Sequence, residues 1–158
     1  MIKIGLTGSL ASGKTTASKI ISKRRGPLFS ADKEVKKLYM QKSFKRLVAK
    51  SFKFQLNKSL KTEIKKEVLQ KKKSLKKLEQ IIHPLVRKKM LVFLKKNRNK
   101  KFLFCEIPLL VESKLTKYFD TIIFIRSKNN LRLKRYKLKG GNIKLFYLLN
   151  KQQLKDTK

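Results

Sequence analysis

The chain has 158 residues, with 44 Lys and Arg against 9 Asp and Glu, a formal net charge of +35. Such a length implies one domain with room for a real core. The lone Cys105 excludes an internal disulfide or a cysteine zinc cluster, and the lone His83 leaves histidine triads and histidine-built metal hydrolases without their parts.

No stretch approaches the ~18 continuous apolar residues of a membrane span. Met1 leads directly into strand-like sequence, so the expectation is a cytoplasmic protein. The basic residues lie along the whole chain, and aromatic residues do not interleave with them as in RNA-reading motifs. They read as solvated helix faces, and no dedicated nucleic-acid partner is expected. A diffuse positive field would still draw in small polyanionic substrates.

In chain order, Ile2–Leu6 reads as a short buried strand. Gly8, Ser9, Leu10, Ala11, Ser12, Gly13, Lys14 and Thr15 then satisfy G-x-x-x-x-G-K-[ST]. Glycines let the backbone curl so that successive amides point at phosphate oxygens. A lysine there supplies a point charge for the terminal phosphates, and a hydroxyl can hold Mg²⁺. Gly8, Ala11, Ser12, Gly13, Lys14, Thr15 and Thr16 are thus candidates to hold a nucleoside triphosphate, with Thr15 also the candidate metal ligand. "KTTASKIISK" continues as a helix with Ala17, Ile20 and Ile21 on one face and Gly26 as its stop.

A second strand is expected over Leu28–Ser30, and a helix from Asp32. From there to Asn99 the apolar spacing is helical, with a break or kink expected at His83 before Pro84. "KKFLFCEIPLLVES" carries a third strand and "FDTIIFIR" a fourth. "LRLKRYKLKGG" is a basic helix ended by Gly140 and Gly141, and "IKLFYLLNKQQ" follows. Strands alternating with helices imply an α/β fold, a parallel sheet with helices on both faces and ligands at the strands' C-terminal ends. Asp32, Glu106, Pro108 and Glu112 sit at those ends. Asp32 can be a helix N-cap or a general base for an accepting hydroxyl.

The segments "GLTGSLASGKTT", "SADKEV", "LEQIIHPLVR", "IPLLVES" and "RLKRYKLKGG" together resemble dephospho-coenzyme A kinases, over nearly the whole chain. The resemblance implies ATP-dependent phosphorylation of the ribose 3′-hydroxyl of dephospho-coenzyme A. It implies a P-loop kinase core over 1–31 and 100–127, a helical substrate-binding insertion over about 32–99, and a lid over about 128–141. Asp32 would be the base, with Lys14 and Arg135 as the cations of the transfer. Lys61, His83, Arg87, Glu106 and Pro108 would border the acceptor. Glu106 stands where the family usually has Asp, and Lys61 and Lys139 where it has arginines, which keeps the charge but loses the bidentate fork. The family's final strand and helix have no counterpart before Lys158. The alternatives are another nucleoside or nucleotide kinase, and an RNA-binding NTPase. Oligomeric state is not legible in these residues.

Overall fold

The computed structural model describes residues 1–56 and 59–151. Within them the elements run β1 (Ile2–Gly8), α1 (Lys14–Ser22), β2 (Leu28–Ser30), α2 (Ala31–Met40), α3 (Lys42–Phe52), α4 (Leu60–Gln70), α5 (Lys72–Lys96), β3 (Phe102–Glu106), β4 (Thr121–Ile125), α6 (Asn129–Leu138) and α7 (Ile143–Asn150). A single 3₁₀ turn at Thr116–Tyr118 precedes β4. All strand pairs are parallel, in the order β2-β3-β1-β4. The α/β class and parallel sheet expected from the alternation of elements are therefore present.

Packing divides the chain into two units, Met1–Ala31 with the chain from Val92 onward, and Asp32–Leu91. The boundary falls inside α5, whereas the expected insertion ran on to 99. The last turns of α5 belong with the sheet because Phe93 packs on Phe29 of β2, ring centroids 5.6 Å apart.

In the first unit, β1 and β3 form the buried centre. Leu6, Leu103, Phe104 and Cys105 are essentially inaccessible, as expected for strands covered on both faces. The register aligns Leu6 with Glu106, and Ser30 with Glu106 from the other side. Three strand ends thus reach one edge together. Helix α1 differs from expectation. Lys14, Ser18 and Ser22 face inward and Ile20 is 65% exposed. The orientation follows from the loop before it: once Lys14 turns into the loop, the positions four and eight residues on must share its face.

The second unit is built from the helical periodicity of its sequence. Phe44, Val48 and Ala49 of α3 and Leu60, Ile64 and Val68 of α4 are buried, while Lys61, Lys65 and Lys66 remain outside. Helix α5 passes through Pro84 without ending, so of the expected break or kink the break does not occur. Proline removes only one ladder bond there, the one to the Gln80 carbonyl. Both residues are exposed, so water can serve that carbonyl.

Candidate active site

The loop between β1 and α1 is held in conformations that its sequence anticipates. Gly8 has φ of 145°, and a Cβ on it would meet the Ile125 carbonyl oxygen at 2.3 Å, so no larger residue fits between β1 and β4. Gly13 has φ of 97°, and Ala11 adopts a left-handed φ of 58°. An alanine there costs about 1 kcal/mol, the kind of strain that binding sites retain. The Ser12 amide donates to the Ser9 carbonyl at 3.1 Å, closing the turn within the loop. Helix α1 begins at Lys14, so its N-terminal partial charge lies beneath the loop.

Lys14 is 8% exposed. Its Nζ donates to the carbonyls of Gly8 and Ser9, each at 2.8 Å. The ammonium is thereby fixed inside the curl by the backbone. Thr15 Oγ1 donates to Oε1 of Glu106 at 2.5 Å. Glu106 is 1% exposed, and its Oε2 has no hydrogen-bond partner among the described residues; the same is true of Ser12 Oγ. A carboxylate buried in this way is costly unless something with donors or positive charge meets it. Thr7 Oγ1, next to this edge on β1, donates to the Pro108 carbonyl at 3.1 Å and anchors the chain leaving β3.

Helix α6 lies against the loop. Arg135 Nη1 donates to the Ser12 carbonyl at 3.4 Å and to Ser127 Oγ at 3.2 Å. It passes so close to Gly13 that an added Cβ would stand 3.6 Å from it. One turn earlier, the buried Arg132 donates to the Leu10 carbonyl at 3.4 Å. A cavity of about 340 Å³ opens beside them, lined by Arg126, Ser127, Lys128, Asn129 and Arg132. The arrangement presents cations and backbone donors around a concave space, which suits a polyphosphate.

The candidate residues therefore fall into two groups. Gly8, Ala11, Ser12, Gly13, Lys14, Thr15, Thr16, Glu106, Pro108 and Arg135 belong to the first unit, around the C-terminal ends of β1 and β3. Asp32, Lys61, His83 and Arg87 belong to the second. Asp32 is exposed in the first turn of α2, which starts one residue earlier at Ala31. Lys61 is exposed on α4. His83 and Arg87 are successive turns of one face of α5. Burial holds the His83 imidazole below its ordinary value; Glu79 one turn before opposes this, and Arg87 one turn after adds to it.

A family model described as dephospho-CoA kinase matches residues 2–144. The chain belongs to the dephospho-CoA kinase family. A dephospho-CoA kinase of Rickettsia felis is 36% identical over 135 residues, covering 85% of this chain and 70% of the relative. One from Bartonella quintana is 34% identical over 160 residues, covering 98% of this chain and 82% of the relative. Among solved structures, the crystal structure of TT1252 from Thermus thermophilus superposes with a TM-score of 0.76 at 22% identity, over 97% of this chain and 80% of that one. At that identity it bears on the fold alone, and agrees with the layered parallel sheet found here. Membership makes the chain a kinase, with ATP as co-substrate. Among the described residues, no helix is long and apolar enough to cross a membrane.

Two features of the site had no sequence signal. Ser127 precedes α6 as one serine among many. Asn150, which touches Arg132, carries no motif at all. Only the fold brings them to the phosphate loop.

Proposed function

We propose that this chain transfers the γ-phosphoryl group of ATP to the ribose 3′-hydroxyl of dephospho-coenzyme A, giving coenzyme A and ADP. The observation that carries this is the family match over residues 2–144, which takes in the phosphate loop, the "HPLVR" turn of α5 and the basic α6. A bond forms between the acceptor oxygen and Pγ as the bond from Pγ to the ADP oxygen breaks. The hydroxyl proton passes to a carboxylate, for which Asp32 is the candidate. It lies two residues past Ser30, the register partner of Glu106 at the sheet edge.

The loop residues from Ala11 to Thr16 hold the phosphates, and Lys14 and Arg135 balance charge that grows in the transition state. His83, Arg87 and Lys61 are the acceptor-binding candidates of the second unit, and Pro108 and Glu106 those of the first. Thr15 and Glu106 together fit Mg²⁺, since both offer hard oxygen donors and one Glu106 oxygen is buried without a partner among the described residues. No cluster of three or more His, Cys, Asp or Glu exists among the described residues, so such an ion would share its remaining sites with phosphate oxygens and water. Its chemistry would be to offset negative charge on the β- and γ-phosphates.

The test is to incubate the chain with MgATP and a panel of acceptors, with products identified by mass. Gain of one phosphoryl group by dephospho-coenzyme A is the expected outcome. Phosphorylation of adenosine or nucleoside monophosphates, with dephospho-coenzyme A inert, would overturn it.

A further inference from the structure

Ser127 lies two residues past the end of β4, and the fold fixes its place beside the phosphate loop. Ile125, the last residue of β4, is the register partner of Gly8, where the loop begins. The two backbones approach so closely that a Cβ on Gly8 would meet the Ile125 carbonyl oxygen at 2.3 Å. A serine just ahead of a helix ordinarily caps it. Here the N-cap of α6 is Lys128, which makes no side-chain capping bond. Ser127 Oγ accepts instead from Arg135 Nη1 at 3.2 Å. The same nitrogen donates to the Ser12 carbonyl in the loop at 3.4 Å. Ser127 is half-buried and lines the cavity that opens there.

Arg135 stands on α6, eight residues after Ser127. Helical side chains lean toward the N-terminus of their helix, so its guanidinium reaches back to the β4 end. That group is a rigid plane whose donors keep fixed directions. A single acceptor would fix its distance and leave its rotation open. Two acceptors on one nitrogen, one in the loop and one past β4, set both. We propose that Ser127 is a positioning residue for phosphoryl transfer, turning Arg135 toward the phosphate loop before the reaction begins. The inference deepens the proposed function and rests on it, since Arg135 must act as a cation of the transfer.

Ser127→Ala removes the accepting oxygen and little else. Turnover should fall roughly five- to tenfold, the worth of one ordinary hydrogen bond. KM for ATP should stay as it was, because the contact acts on the transition state and the loop holds the ground state. Ser127→Thr keeps an oxygen on the same carbon and should recover most of the turnover. The deciding measurement is a double-variant cycle with Arg135→Ala, or with Arg135→Gln should the alanine protein not fold. With the guanidinium gone, Ser127→Ala should cost nothing further. A serine that only steadied the fold would lower the melting temperature, and its loss would add to that of Arg135→Ala. Additive losses therefore overturn the proposal, as do wild-type turnover in Ser127→Ala and a loss in Ser127→Thr equal to that of alanine. Rates are read with dephospho-coenzyme A as acceptor and again as ADP release with water as acceptor. A chain that releases ADP yet leaves dephospho-coenzyme A unmodified would end the acceptor assignment, and the same cycle on ADP release would still decide the role of Ser127.

Discussion

Thr15 donates its hydroxyl to Glu106 across 2.5 Å, although 91 residues separate them in the chain. The contact ties the first turn of α1 to the end of β3 and leaves the second carboxylate oxygen buried with no hydrogen-bond partner among the described residues. Glu106→Gln keeps an oxygen for Thr15 and almost the same volume, so the fold should hold. The charge that would attract a divalent ion is lost. Turnover should fall on the order of 10²-fold, the range found for a single electrostatic group in such sites, and more Mg²⁺ should be needed for half-maximal rate. A magnesium titration of initial rates on the variant checks this, and a wild-type curve would refute it.

Lys14 is bonded to the same loop that it serves. Its replacement by Ala removes two hydrogen bonds from the curl and, on the proposed role, a charge from the transition state. We expect turnover to drop about 10²-fold or more, with weaker ATP binding as the loop relaxes. Lys14→Arg should not rescue the activity, since a planar fork does not fit where a compact ammonium meets two carbonyls of adjacent residues. Steady-state kinetics with ATP varied separates the two variants; recovery in the Arg protein would show that charge alone matters.

The phosphate loop and β2 were legible because their signals are local. A strand, a glycine-flanked curl and a helix follow one another within about twenty residues, and Leu28–Ser30 has the same bounds in the structure. The inward face of α1 was not legible. Hydropathy favoured Ile20, whereas geometry gave the face to Lys14 and two serines. The break allowed for at Pro84 fails for the opposite reason: a local rule against proline is outweighed by an exposed position in a 25-residue helix. The Thr15–Glu106 and Arg132–Asn150 bonds join distant segments, and no spacing in the sequence encodes them.

Burial pushes the Cys105 thiol up to about 12. At neutral pH it stays protonated, and with no exposed surface it cannot meet a reagent. In the native protein it should resist iodoacetamide and react only on unfolding, which mass measurement with and without denaturant reads directly.

His83 offers a pH signature, as the only histidine. Its folded-state value lies below the ordinary 6.5, chiefly through burial. On lowering the pH below 6.5, the unfolded chain takes up the proton first. The stability contributed by the neutral folded imidazole is present above that point and is lost as pH falls toward the folded value. His83→Gln should flatten this part of the stability profile. Its single imidazole resonance should titrate below 6.5 in the wild type; a midpoint above 6.5 would contradict the burial of the ring.

Asp32 is the proposed base. Helix α2 begins at Ala31, so Asp32 sits inside the first turn rather than ahead of it, and a capping role falls more naturally to Ser30. A carboxylate in that turn still favours the helix dipole, by about 0.3–1 kcal/mol at an exposed site. Asp32→Asn gives up that modest term and keeps the shape. If Asp32 only steadied the helix, the variant would melt slightly lower and turn over normally. If it is the base that takes the hydroxyl proton, it contributes typically 10²–10⁴-fold, and asparagine is a poor proton acceptor. Turnover should therefore fall by about two to four orders of magnitude while ATP affinity stays put. Melting temperature, nucleotide affinity and turnover on the one variant separate the outcomes, and turnover near wild type would remove Asp32 from the chemistry.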